Sequence, residues 1–199
     1  MKSLIFKISL GILIIVLAYF VYESIMQPLR FNKKKEIRDT EVIQRLKDIR
    51  ATQLVYKRVY NVYAADLDTL IDFLKNGEIA VVNIIADPED TTFTRTISDT
   101  IGYINVGDSL FKYRSASLID SLKYIPFSGG QFFTLDASKV KKGGLQVAVF
   151  EASAMFKTYL SGLDNQSVVN LIKSKEDMDH FPGLKVGSML EPSTDGNWE

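Results

Sequence analysis

The opening stretch of the chain constrains it more than anything that follows. Leu4–Tyr22 is nineteen residues long and carries one charge, Lys7. As a helix it would rise roughly 28 Å at 1.5 Å per residue, against a hydrocarbon core of about 30 Å. A cleaved secretory signal begins in a similar way, with Met1-Lys2-Ser3 ahead of an apolar run. Two features favour an uncleaved anchor instead. No pair of small residues after Ala18 is spaced for a signal peptidase, and Tyr19, Phe20 and Tyr22 supply the aromatics of an interfacial belt. The expected anchor covers residues 1–27, with Leu4, Ile8, Ile12, Ile15, Tyr19 and Tyr22 as its membrane-anchoring positions.

Charge is distributed unevenly around that anchor. The formal net charge is zero, yet residues 30–60 hold ten Lys/Arg against four Asp/Glu, and residues 61–199 hold twelve against nineteen. A basic stripe just after an apolar span is better matched to lipid headgroups or an acidic partner than to nucleic acid. Lys2 and Lys7 favour a cytoplasmic N-terminus, whereas Arg30, Lys33, Lys34, Lys35 and Arg38 pull the other way. The short basic stretch before the span decides for N-in insertion. The expected location is a bacterial inner membrane, crossed once, with the globular part in the periplasm.

Pro28 has no N–H and crowds the preceding turn, so a joint over residues 27–32 is expected to separate the anchor from a stalk helix. In the stalk, Val42, Ile49, Tyr56 and Tyr63 recur every seven residues, and Leu46, Gln53 and Tyr60 form a second row four residues along. Ile43, Leu54 and Val59 broaden this seam into the stripe of a helix lying on a domain. Two uses of the stripe are open: packing on the chain's own sheet, or association with a second copy or a protein partner through Val42, Leu46, Ile49, Tyr56, Tyr60 and Tyr63. After it, Asp66 is placed to cap a short helix, Leu67–Lys75, closed by Asn76-Gly77.

A membrane helix followed by "RLKDIRATQLVYKRVYNVYAADLDTLIDFL", with its Gln-x-x-Tyr and an aromatic turn before a Leu-rich helix, resembles the N-terminal organisation of type IV pilins and type II secretion pseudopilins. The resemblance covers about residues 4–80. It implies an α+β fold in which a long helix runs out of the membrane and packs against an antiparallel sheet, with short additional helices. The processing site of those families is not matched: were Gly11 the cleavage glycine, Val16 would stand where their glutamate does.

From residue 78 the texture changes to short β-type runs at 78–86, 91–97, 100–106, 130–136, 145–152 and 184–190, within a globular domain expected over 64–190. Lys141-Lys142-Gly143-Gly144 reads as a hairpin tip and Asp87-Pro88-Glu89-Asp90 as a loop. Residues 117–124 and 164–173 have helical spacing, the second with Asp164 as its cap. The closing stretch "FPGLKVGSMLEPSTDGNWE" ends in a polar tail, 191–199, that carries the only tryptophan, Trp198. A large aromatic in such a tail points to docking, on its own domain or on a partner, because exposed aromatic area is unfavourable at roughly 25 cal/mol per Å². With its Lys-Val-Gly-Ser and terminal Gly-Asn-Trp-Glu, the chain resembles a group of single-pass membrane proteins of unknown function common in Bacteroidetes.

Catalytic chemistry finds little support in the sequence. Cysteine is absent and His180 is the sole histidine. A Gly-x-Ser-x-Gly elbow does not occur, and the glycines at 129–130 lack a following helix to cradle phosphate. No metal, cofactor, nucleic acid or small-molecule substrate is expected. The sequence points to a non-enzymatic, membrane-anchored, pilin-like component of a cell-envelope assembly, with secretion as one such role; the alternative is a tethered periplasmic module that binds a ligand or peptide.

Overall fold

The computed structural model describes residues 2–86, 96–112 and 117–199. Its first element, α1 (Lys2–Tyr60), is a single 59-residue helix, roughly 88 Å long at 1.5 Å per residue. The expected joint at Pro28 is therefore not a break. Proline removes one rung of the hydrogen-bond ladder, a loss of about 3 kcal/mol or more, but register outweighs it. Phe31, Val42, Leu46, Ile49 and Gln53 fall on one face only if the helix keeps its phase through residues 28–32, and all five are buried against the domain. Ahead of Pro28 an 18-residue window reaches a mean hydropathy of 2.2 with none of it covered by the rest of the chain. All six expected anchor residues, from Leu4 to Tyr22, are exposed. The helix is thus long and apolar enough to cross a membrane.

The remaining chain forms α2 (Leu67–Asn76), β1 (Glu78–Ala86), β2 (Thr96–Asn105), α3 (Val106–Phe111), α4 (Ser117–Ser121), β3 (Thr134–Lys142), β4 (Leu145–Met155), α5 (Phe156–Tyr159), α6 (Asn165–Glu176) and β5 (Gly183–Gly187). The architecture is α+β with two antiparallel sheets: a two-stranded ribbon β1-β2, and a three-stranded sheet in the order β3-β4-β5. Gly143 and Gly144 form the two-residue turn between β3 and β4, with φ of 59° and 84°. Positive φ at both positions is what a turn matching strand twist requires, and glycine takes it without a Cβ clash.

The C-terminal half of α1 lies on β4 and β5. Ala148, Ala152 and Ala154 on the inward face of β4 are buried in the same cluster as Val42, Leu46 and Ile49, so small residues on the sheet meet large ones on the helix. Most of the expected interaction seam is therefore already occupied: Val42, Leu46 and Ile49 are 0% exposed and Tyr63 is buried too. The stripe serves the chain's own core, because a seam widened by neighbouring apolar positions matches a sheet better than a narrow coiled coil. The helix also ends earlier than its heptads suggest. Asn61 adopts φ 59° and donates its N–H to the Lys57 carbonyl at 2.8 Å, which closes the last turn. Tyr63, beyond that turn, still buries its ring against Phe150, with centroids 4.6 Å apart. Tyr60 stays half exposed, beside Tyr56 and Phe73.

Several strands differ from their expected spans: β2 begins at Thr96 rather than Thr100 and takes in the end of the run expected at 91–97, and β4 continues to Met155 rather than stopping at Ala152. The third sheet strand starts at Thr134 rather than Gly130, since residues 128–131 are held in a turn by the Ser128 hydroxyl, which donates to the Ile125 carbonyl. The last strand stops at Gly187, where the chain turns back. The loop at 87–90 and most of the run 91–97 lie outside the described residues.

Three carboxylates are held below their ordinary pKa by the bonds that close the fold. Asp66 accepts from the Thr69 backbone N–H, Asp164 is bonded by Ser167, and Glu199 by Arg50. Each folded pKa is depressed, so the stabilisation is complete above the unfolded values of 3.8 for Asp and 4.5 for Glu, and is lost as pH falls through the folded ones. The melting temperature is expected to drop between about pH 5 and pH 3. Asp66→Asn with Asp164→Asn should flatten that slope in a thermal circular-dichroism series; an unchanged slope would remove these caps from the account.

Candidate functional site

The ribbon β1-β2 is anchored firmly at one end. Asp66 caps α2, its carboxylate accepting from the Thr69 N–H at 2.7 Å, and α2 buries Leu70, Ile71, Phe73 and Leu74. The chain leaves α2 through Gly77, where a Cβ would collide with Phe73. On the return, Asn105 caps α3 by accepting from the Gly107 N–H at 2.8 Å, while its amide donates to the Lys75 carbonyl at 2.8 Å. The Val106 N–H donates to the Gly77 carbonyl at 3.0 Å and locks the two strand ends together.

Beyond this base the ribbon stands away from the domain. Among the described residues β1 packs substantially only on β2, and β2 adds substantial contacts only with α2 and α3. The pairing runs from Glu78↔Asn105 to Ala86↔Thr96, with Ile101 as the extra residue of a bulge opposite Val81 and Val82. Val81 and Val82 point to opposite faces, and both are exposed; Ile101 is 68% and Tyr103 70% exposed, with Ile85 and Ile104 also in solvent. The outer edges of both strands have no strand partner among the described residues. A near-continuous apolar strand such as EIAVVNIIA is the type that normally lies covered on both faces, so this is an uncovered apolar surface of the kind that marks interaction sites. β1 was legible in the sequence, and β2 only in part, since its residues fell in two separate expected runs, 91–97 and 100–106. The ribbon's isolation was not, although a run apolar on both faces, next to a β2 with Ser, Thr and Asp, is a signal for an external cover.

A second surface surrounds α1 where its apolar segment ends. Arg30 pairs with Glu23. Lys35 bonds Asp39 at 2.5 Å, and Asp39 also accepts from the Tyr159 hydroxyl at 2.7 Å. Burial, reinforced by that bond, pushes the Tyr159 phenol far above its ordinary pKa and keeps it a donor. Arg38 donates to the carbonyls of Tyr159 and Ser161 at 2.7 and 2.8 Å and lies over Phe127. These bonds tie the α5–α6 loop to α1. A crevice of about 190 Å³ remains between them, lined by Gln27, Arg30, Phe31 and Lys34 on one side and Gly162, Leu163 and Asp164 on the other.

The tail is docked rather than free. Asn197 donates its N–H to the Lys185 carbonyl at 3.0 Å and accepts from the Lys185 N–H at 3.0 Å, while the Gly187 N–H donates to the Asp195 carbonyl at 2.9 Å. Val186 and Gly196 form an antiparallel bridge. Trp198 packs at the margin of the core, over Gly196, where any side chain would take the indole's place. His180 is exposed, and the described residues hold no group of three His, Asp or Glu side chains placed to share a metal. No family model, curated protein or solved structure matches this chain.

Proposed function

We propose that this protein is a membrane-anchored, non-enzymatic component of a cell-envelope assembly, pilin-like in the order of its helix and sheet, with its domain on the periplasmic side of a bacterial inner membrane. In this reading it self-associates through the β1-β2 ribbon. The observation that carries the reading is that ribbon, with Ile101 and Tyr103 standing in solvent.

A second copy is the occupant that the geometry favours. Two copies inserted in one bilayer have parallel α1 helices and carry their ribbons at the same height. A two-fold axis along the membrane normal then brings ribbon to ribbon, the isologous contact of most dimers. Nine pairs at about 3.3 Å and a width of about 10 Å give roughly 300 Å² per face, so a face-to-face contact buries about 600 Å². That is well below the roughly 1,200–2,000 Å² of a stable soluble interface. Confinement to the bilayer supplies the missing affinity by raising effective concentration.

The cysteine-free chain makes the test clean. Tyr103→Cys in native membranes is expected to give a disulfide-linked dimer on mild oxidation, and Lys47→Cys on α1 to give none. Monomer alone at Tyr103→Cys would refute the reading. Crosslinking to a different protein would refute self-association in the same experiment.

A further inference from the structure

We propose that the crevice between α1 and the α5–α6 loop, lined by Arg30, Lys34 and Gly162–Asp164, holds the phosphate headgroup of an anionic lipid. The assignment rests on reading α1 as membrane-spanning.

Height comes first. A 20-residue hydrocarbon window beginning at Phe6 ends at Ile25, which places the Cα atoms of Arg30 and Lys34 roughly 7.5 and 13.5 Å further along the axis. Helical Cα–Cβ bonds tilt toward the N-terminus, here toward the bilayer, so these long side chains reach back to the headgroup layer, about 5–8 Å thick per leaflet. The apolar face narrows over the same turns: Ile25 and Leu29 are exposed, while Phe31 is buried against the domain.

Availability of charge comes second. Five cations follow the span, and the fold uses two of them. Lys35 is engaged by Asp39, and Arg38 by two backbone carbonyls. Lys33 and Lys34 make no ion pair among the described residues. Arg30 holds Glu23, but a guanidinium has five donors and can bind a phosphate as well. Asp164 is the carboxylate on the opposite wall. One of its oxygens accepts from the Ser167 N–H at 2.8 Å and the Gln27 side chain on α1 also bonds the carboxylate, so neutral donors on both walls offset its charge beside Arg30 and Lys34.

The crevice itself comes third. Because Arg38 fixes the α5–α6 loop and Tyr159 is bonded to Asp39, both walls are held before any ligand arrives. At about 190 Å³ the space equals about six waters at about 30 Å³ each, enough for a phosphodiester with part of its hydration.

The experiment uses the full chain in nanodiscs of phosphatidylcholine, with and without phosphatidylglycerol, and counts lipids retained per protein by native mass spectrometry. Retained phosphatidylglycerol is expected to exceed its share of the bilayer. Arg30→Gln with Lys34→Gln is expected to reduce that enrichment on the order of 30-fold, from about five-fold per cation at a membrane surface. Lys47→Gln with Arg58→Gln, the same charge change roughly 20–40 Å farther along α1, should leave it intact, and thermal melts of both variants check folding. Equal loss in the two variants would reduce the effect to net charge and overturn the site. Binding of free glycerol 3-phosphate in phosphatidylcholine discs as strongly as lipid would overturn the lipid assignment. A protein retained in discs without lipid preference defeats this proposal alone, whereas a protein not retained at all defeats the membrane reading and this proposal with it.

Discussion

Gln53→Leu is expected to lower the unfolding free energy by about 2–5 kcal/mol, although leucine matches glutamine in size and is the more hydrophobic residue. Gln53 is 0% exposed. Its amide donates to the Ala64 carbonyl at 2.8 Å, and its carbonyl accepts from the Ala64 N–H at 2.9 Å. One side chain thus satisfies both backbone groups of a buried residue, just where the chain leaves α1 and turns toward α2. Leucine would leave a buried donor and a buried acceptor without partners, each a loss of about 1–3 kcal/mol. The damage should spread to the turn, because Ala64 sits between Tyr63, on the Phe150 ring, and the Asp66 cap of α2. Urea unfolding of the full chain in micelles, followed by near-ultraviolet circular dichroism, reads the change. A loss under about 1 kcal/mol would mean that the turn relaxes and finds other partners.

Deletion of residues 191–199 is expected to cost on the order of 2–4 kcal/mol, the sum of several backbone and side-chain hydrogen bonds at about 0.5–1.5 kcal/mol each less the entropy of ordering the segment. The bonds are specific: Asn197 clamps Lys185 and donates its amide to the Gly183 carbonyl at 2.9 Å, and Arg50 on α1 reaches the Thr194 carbonyl at 3.2 Å and Glu199 at 2.8 Å. Without the tail, β5 becomes an open sheet edge. A single substitution separates packing from polarity. The indole nitrogen of Trp198 is buried with no hydrogen-bond partner among the described residues, so Trp198→Phe should be nearly neutral, whereas Trp198→Ala should be clearly destabilising, by about 2 kcal/mol for a side chain only partly buried. Unchanged melting after the deletion would return the tail to the role of a partner-binding segment.

Gln53 also shows where periodicity stops being informative. In the sequence it is one member of the row Leu46, Gln53, Tyr60, a polar residue on an apolar stripe. Period alone gives its face but not its partner, because the backbone it bonds lies eleven residues on and comes into reach only after Asn61 reverses the chain. Lys35, Asp39 and Tyr159 were similarly invisible as a group: the tyrosine is 120 residues from the aspartate it bonds.

The local elements were determined by the sequence itself. The apolar span, the Asp66 and Asp164 caps, the Gly143-Gly144 turn and the strand at Glu78–Ala86 all depend on neighbours a few residues apart, where propensity and period act directly. Tertiary structure decided everything that depends on which surfaces meet. It carried α1 unbroken through Pro28, because the phase of Phe31 relative to Val42 is fixed by the sheet and not by the helix. It covered Val42, Leu46 and Ile49 with β4 and β5, folded the tail onto β5, and left the β1-β2 ribbon bare. A stripe of apolar residues states that something must cover it; only the packing of distant segments decides whether the cover comes from the same chain.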